Sequence, residues 1–139
     1  MGSTDLYSAI IASGTVYVAQ GTYLVTNELV INSDICLQGG FPSNSTGTDL
    51  CDYDPIANPT IFDGQSSNRV FLNSVGVSSL ELKGIVIQNG FSGTPGGGSA
   101  FRSTSTSTMS SEYKFIDLVV DSNTSNSSDN GAFIISNAN

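Results

Sequence analysis

The chain has 139 residues, of which only 12% are charged, and its formal net charge is −8. Four basic residues against twelve acidic ones cannot build the basic patch that drives nucleic-acid binding, and the lack of any histidine removes His-based triads, general bases and metal ligands. Two cysteines cannot close a four-thiolate zinc site, no apolar run is long enough to span a bilayer, and no cofactor or metal set is expected.

Ser, Thr and Asn take the place of the missing charge, at about a third of the chain. With 38% hydrophobic residues, charge-driven disorder is not expected.

Residues Thr4 to Ser13 predict one short helix. Thr4 can cap it, Leu6, Ala9 and Ile10 form an apolar stripe, and Gly14 stops it. From Gly14 onward the period changes to that of strands. Short apolar runs follow at Thr15–Val18, Tyr23–Val25, Leu29–Ile31, Ile35–Leu37, Thr60–Phe62 and Arg69–Leu72. More come at Leu80–Leu82, Ile85–Ile87, Tyr113–Phe115, Leu118–Val120 and Ala132–Ile135. Each is bounded by Gly, Asn, Asp, Ser or Pro. Strands this short and this frequent suit a sandwich, a barrel or a solenoid.

Internal repetition favours the solenoid. Ile35-Cys36-Leu37-Gln38-Gly39-Gly40-Phe41 aligns with Ile85-Val86-Ile87-Gln88-Asn89-Gly90-Phe91, and Leu118 to Asn123 follows the frame more loosely. In a coil of this kind, alternate apolar residues point inward and stack on the next coil, while Asn and Gly take the bends.

Cys36 and Cys51 lie fifteen positions apart around a Gly/Ser/Asn/Asp-rich loop. They are either unrelated thiols in a reducing compartment or a bridge in an oxidising one, which would stabilise by about 3 kcal/mol. The composition fits a secreted or surface-displayed protein and so favours the bridge. Three N-x-Ser/Thr sequons, at Asn44, Asn123 and Asn126, are candidate glycosylation sites, although a chain so rich in these residues also produces sequons by chance.

Several stretches resemble right-handed parallel β-helix proteins of the adhesin type. The run GTVYVAQGTYLVTNELVINSDICLQGGF (14–41) is similar to their first coils, NPTIFDGQSSNRVFL (58–72) to the next, and LELKGIVIQNGFSGTPGGGSAF (80–101) to the one after. Gly97-Gly98-Ser99-Ala100-Phe101, Phe115-Ile116-Asp117-Leu118 and Asn130-Gly131-Ala132-Phe133 are similar to repeats of polymorphic outer-membrane proteins, each with a departure from the pattern. The resemblance implies an all-β, right-handed parallel β-helix, with a capping helix in 1–14, coils over 15–139 and an inserted loop at about 42–58. It says less of function, since this fold hosts adhesins, lyases, hydrolases and fibres.

Asp63 and Asp121 both end strands and are the candidates for paired acid catalysts on adjacent coils, but turn-making is the simpler role for both. Asp49, Asp52 and Asp54 crowd one loop, where they are either calcium ligands or a solvated acidic surface. Ser103 to Thr108 alternates Ser and Thr and is expected to be a loop. The expected function is therefore a non-catalytic extracellular module of a surface adhesin or filament. The alternative is a carbohydrate-binding module or part of a polysaccharide-degrading enzyme. Ala132-Phe133-Ile134-Ile135 forms an uncapped apolar edge, expected to stack end to end with further coils or another chain. A glycan or other cell-surface ligand is the other expected partner.

Overall fold

A computed structural model describes residues 3–45, 50–74, 77–93, 97–104, 111–126 and 131–135, without the side chains of residues 3–6. One helix, α1 (Ser3–Ile10), opens the chain. The remaining elements are strands, apart from a single 3₁₀ turn at Leu50–Asp52. The helix ends three residues earlier than the sequence predicts, because Ile11 no longer faces the core and is exposed.

The strands recur in four passes. The first holds β1 (Gly14–Ala19), β2 (Gly21–Leu24) and β3 (Leu29–Ile31). The second holds β4 (Ile35–Phe41), β5 (Thr60–Asp63) and β6 (Phe71–Asn73). The third runs through β7 (Ser79–Lys83), β8 (Ile85–Gln88), β9 (Phe91–Ser92) and β10 (Phe101–Ser103). The fourth runs through β11 (Glu112–Ile116), β12 (Val119–Asp121), β13 (Thr124–Ser125) and β14 (Phe133–Ile135).

Pairing is parallel throughout the described strands. Three four-stranded sheets have the orders β1-β4-β7-β11, β2-β5-β8-β12 and β3-β6-β10-β14, and β9 pairs β13. Each four-stranded sheet therefore takes one strand from every pass. Gly14, Ile35, Leu80 and Tyr113 share a row, so 21, 45 and 33 residues separate successive members. The long second interval contains residues 42–59, the loop expected at about 42–58.

Strand alternation sends every second residue inward. Leu29, Phe71, Phe101 and Phe133 form one inward row, and Tyr23, Phe62, Ile87 and Val120 another. Aromatic rings carry the packing both between rows and along them. Phe62 and Phe71 are 5.1 Å apart, and Phe101 lies 4.8 Å from Phe133. Burying each such side chain contributes about 1.5–3 kcal/mol. On the first pass, α1 sits against β3 and seats Ile10 in the core.

Single residues with positive φ make the corners. Gly84 (φ 63°) turns β7 into β8, and Asp117 (φ 49°) turns the chain from β11 toward β12 one pass on. Their backbones stack, since the Gly84 amide donates to the Ile116 carbonyl at 2.9 Å. After β8 and β12 the same role falls to Asn89 (φ 51°) and Ser122 (φ 53°).

The repeat alignment made on sequence is corrected here. Ile35–Phe41 forms β4 in the first sheet, whereas Ile85–Gln88 forms β8 in the second, so the two motifs do not stack. Ile35 stacks on Leu80 instead. The looser match is the true one, because Val119-Val120-Asp121 lies in register on Val86-Ile87-Gln88.

Gly64 follows β5 in the packed interior of a corner. A Cβ there would stand 2.6 Å from the Asn68 carbonyl oxygen and 2.8 Å from that of Asn89, both backbone atoms. Gly64→Ala is expected to cost about 1–3 kcal/mol in urea unfolding. A loss within a few tenths of a kcal/mol would mean the corner is looser than described.

Candidate functional site

Three places gather chemistry: a strapped corner, a polar cleft and the open edge of the fourth pass.

The strap is the inserted loop. Tyr53 lies across the corner between the first two sheets, directly over Gly40 and Gly84, where any Cβ would meet its ring. Its hydroxyl donates to Asp117 Oδ2 at 2.7 Å, and Lys83 Nζ sits 4.5 Å from the ring centroid. Burial, the bond to Asp117 and that carboxylate's charge push the Tyr53 hydroxyl well above its ordinary value. The Asp54 amide donates to the Gly40 carbonyl at 2.8 Å. Phe41 fills the space beneath, 5.4 Å from Tyr17 and 5.9 Å from Tyr53. Beside the strap, Pro55, Ile56, Val86, Leu118 and Val119 border an apolar groove of about 470 Å³.

The cleft, of about 520 Å³, opens where the second sheet turns toward the third and is bordered by Asn27, Glu28, Ser67, Asn68, Phe91 and Ser92. Arg69 forms its base. Its Nη1 bonds Glu28 Oε2 at 2.9 Å, Nε bonds the Gly98 carbonyl at 2.9 Å, and Nη2 reaches the Gly97 carbonyl at 3.0 Å and Ser92 Oγ at 3.2 Å. One guanidinium thus joins three passes. The Arg69 side chain is 9% exposed and that of Glu28 38%, so the guanidinium is held inside while its carboxylate partner reaches solvent. The chemistry offered to a ligand is amide, hydroxyl, carboxylate and one aromatic face, without a nucleophile–base pair.

Asp63 and Asp121 are not neighbours. They share the row Leu24, Asp63, Gln88, Asp121, and Gln88 stands between them. The Asp63 carboxylate accepts Gln88 Nε2 at 2.9 Å, Asn89 Nδ2 at 3.1 Å and the Gln65 amide at 2.8 Å. Burial pushes its pKa up, but these donors outweigh burial and leave it below the ordinary value. Its role is turn-making. In the acidic loop, Asp54 Oδ1 accepts the amides of Ile56 and Ala57 at 3.0 and 2.9 Å. Asp49 lies outside the described residues, and no metal-binding group is found among the described ones.

The expected disulfide is not formed. Cys36 lies in β4 on the outer row Thr15, Cys36, Glu81, Lys114, with its Sγ 3.5 Å from Glu81 Oε1. Burial first, then the Glu81 carboxylate, pushes the Cys36 thiol up. Cys51 stands on the 3₁₀ turn and is exposed.

Among the sequons, Asn123 is occupied by the fold. Both amide hydrogens are donated, to the Ile87 and Asp121 carbonyls at 2.9 and 2.8 Å, while Oδ1 accepts the Gly90 amide at 2.7 Å. A glycan would displace one of these bonds. Asn44 and Asn126 are exposed. Ser103, expected in a loop, is instead a buried residue of β10 whose hydroxyl lies 3.1 Å from Tyr113 Oη and 3.3 Å from Asn73 Nδ2. Residues 105–108 of that Ser/Thr run lie outside the described residues.

The expected assembly edge is at the end of its sheet. β14 pairs β10 on one side, Ala132 accepts the amides of Ala100 and Phe101, and no described strand lies on the other side. β11 and β12 end the other two large sheets. Inward residues of this pass are more open than their counterparts above: Val120 is 39% and Ile135 48% exposed, against 0% for Ile87 and Asn73 in the same rows.

No family model, curated protein or solved structure matches the chain.

Sequence reasoning missed Arg69, Asp34 and Tyr53. Arg69 sat in a recognised strand run, and a lone Arg in such a run carries no sign of the Glu28 facing it across 41 residues. Asp34 joins the second pass to the third, accepting Ser78 Oγ at 2.7 Å and the amides of Ser78 and Ser79 at 2.7 and 3.0 Å.

Two predictions follow from these contacts. Arg69→Lys, which keeps the charge but removes the fork, is expected to destabilise more than Glu28→Gln, because it also strands the Gly97 and Gly98 carbonyls. Equal losses in chemical denaturation would contradict this. The bonds from Ser78 and Ser79 hold Asp34 below its ordinary value of 3.8. A depressed folded pKa stabilises above the ordinary value, and that stabilisation is lost as pH falls through the folded one. Asp34→Asn should therefore lower Tm near neutral pH, with the deficit shrinking below pH 3.8. A deficit constant with pH would assign it to geometry alone.

Proposed function

We propose that the chain is a right-handed parallel β-helix module, non-catalytic, from a secreted or surface-displayed adhesin or structural protein. The observation that carries this reading is the register: inward rows such as Leu29-Phe71-Phe101-Phe133 run unbroken through four passes in parallel sheets. Right-handedness rests on the strong preference of parallel crossover connections for that hand. The resemblance to polymorphic outer-membrane protein repeats adds support, since Ser99-Ala100-Phe101 lies in register with Gly131-Ala132-Phe133: Phe101 pairs Phe133, and the Ala100 amide donates to the Ala132 carbonyl. A fold stiffened by repeated stacking, with its most open apolar surface at one end, suits display of a rigid surface and addition of further layers.

The second reading, a carbohydrate-binding module, draws on the Arg69 cleft, whose amides, carboxylate and partly covered Phe91 ring are groups that hold sugar hydroxyls and sugar faces. Both readings are tested on one panel of glycans, matrix proteins and pectin-like polymers. The adhesin reading predicts binding to matrix or cell-surface protein with no release of reducing or unsaturated sugar. Micromolar binding confined to glycans, lost in Phe91→Ala, would select the second reading. Product release from any polymer would overturn the non-catalytic assignment.

A further inference from the structure

The two ends of the stack differ, and the difference limits how copies of the chain can meet. At the first pass, α1 packs on β3. Ile10 lies in the core with Val18, Val25, Leu29 and Ile31, all buried, and the Asn27 amide donates to the Tyr7 hydroxyl at 3.0 Å. At the fourth pass, Val120 and Ile135 remain open, and Phe115 and Phe133 are only half-buried. Head-to-tail growth would set the open end of one copy on β1, β2 and β3 of the next, strands that carry no charged residue to meet Glu112 and Lys114. Unpaired strand edges stand at both ends, but among the described residues only the fourth pass leaves inward apolar residues exposed.

We infer that a second copy of this chain covers the open end, fourth pass against fourth pass, through a two-fold axis at β11. A two-fold contact is self-complementary and closes at the dimer. It reverses the stack axis, so edge strands of the two copies meet antiparallel, a pairing at least as stable per residue as the parallel one.

Charge selects β11 as the strand on the axis. Its outward residues Glu112 and Lys114 carry opposite signs two positions apart and form an exposed ion pair within the strand. Antiparallel pairing centred on Tyr113 sets Glu112 of each copy opposite Lys114 of the other. β12 carries only an acid, Asp121, and β14 carries no charge. Pairing either of them with itself brings no complementary charges together. With the axis at β11, β12 of one copy faces β14 of the other. Asp121 then meets no like charge, and Val120 and Ile135 come under the same cover.

The inference rests on the stacked reading proposed above. Sedimentation equilibrium of the full chain, with residue-resolved amide exchange on the same samples, tests both. The chain is expected to reach a dimer and stop. Glu112→Lys, whose neighbour in the row is the uncharged Ser79, sets like charges across the junction and should raise the dimer dissociation constant at least tenfold, with melting of the protomer unchanged. The double reversal Glu112→Lys with Lys114→Glu restores complementarity and should recover the dimer. A monomer at all concentrations, open-ended polymers, or a double reversal as weak as the single variant would overturn the inference. If the chain is monomeric while β5 and β8 exchange slowly, the dimer alone falls. Fast exchange throughout those strands rejects the stacked reading itself.

Discussion

The structure depends on inward residues standing on inward residues. Each inward side chain of one pass rests on its counterpart in the next, as Phe62 does on Ile87 and Leu37 on Leu82. Strands of three to five residues would be marginal as isolated hairpins. Here each strand of the middle two passes except β9 is paired on both edges within its large sheet and packs on one inner face. The favourable term is ordinary apolar burial and close packing, and it arises almost entirely between residues distant in sequence.

Stacking makes the corners matter as much as the strands. A layer can lie on the next only if the chain bends at the same place each time, which Gly84 and Asp117, then Asn89 and Ser122, achieve with positive φ. Side-chain groups then join corner to corner: Asn68 Nδ2 to the Val25 carbonyl, Asn123 to Ile87, and Asp34 to Ser78 and Ser79. These bonds satisfy backbone groups that no ladder reaches. The charge deficit of the sequence follows from this. Positions that an ordinary domain fills with Lys or Glu are here corner positions that need a short side chain able to bond the backbone.

Much of this is legible in the sequence. Apolar runs bounded by Gly, Asn and Ser marked the strands from Thr15–Val18 to Ala132–Ile135, because alternation and breakers are local signals. β9, β10 and β13 were missed, since Phe91-Ser92, Phe101-Arg102-Ser103 and Thr124-Ser125 are too short and too polar to stand out. Register was harder. Ile35–Phe41 and Ile85–Phe91 look alike yet lie on different sheets, because similar turn residues recur at more than one corner of a pass. The Cys36–Cys51 bridge failed for a related reason: sequence spacing says nothing of the outward row that places Cys36 beside Glu81. Arg69 and Tyr53 were not legible because their partners Glu28, Gly98 and Asp117 lie 29 to 64 residues away.

The polar cleft, the strapped corner and the open edge are all consequences of one parallel register, so that register bears the weight of the account. Two-dimensional NOE spectroscopy of the labelled chain tests it most directly. The account predicts contacts of the Phe62 ring with Ile87 and Phe71, and of Ile87 with Val120, with no strong Hα–Hα cross-peaks between strands adjacent in sequence. Strong Hα–Hα cross-peaks joining β7 to β8 or β11 to β12, the mark of antiparallel hairpins, would contradict it.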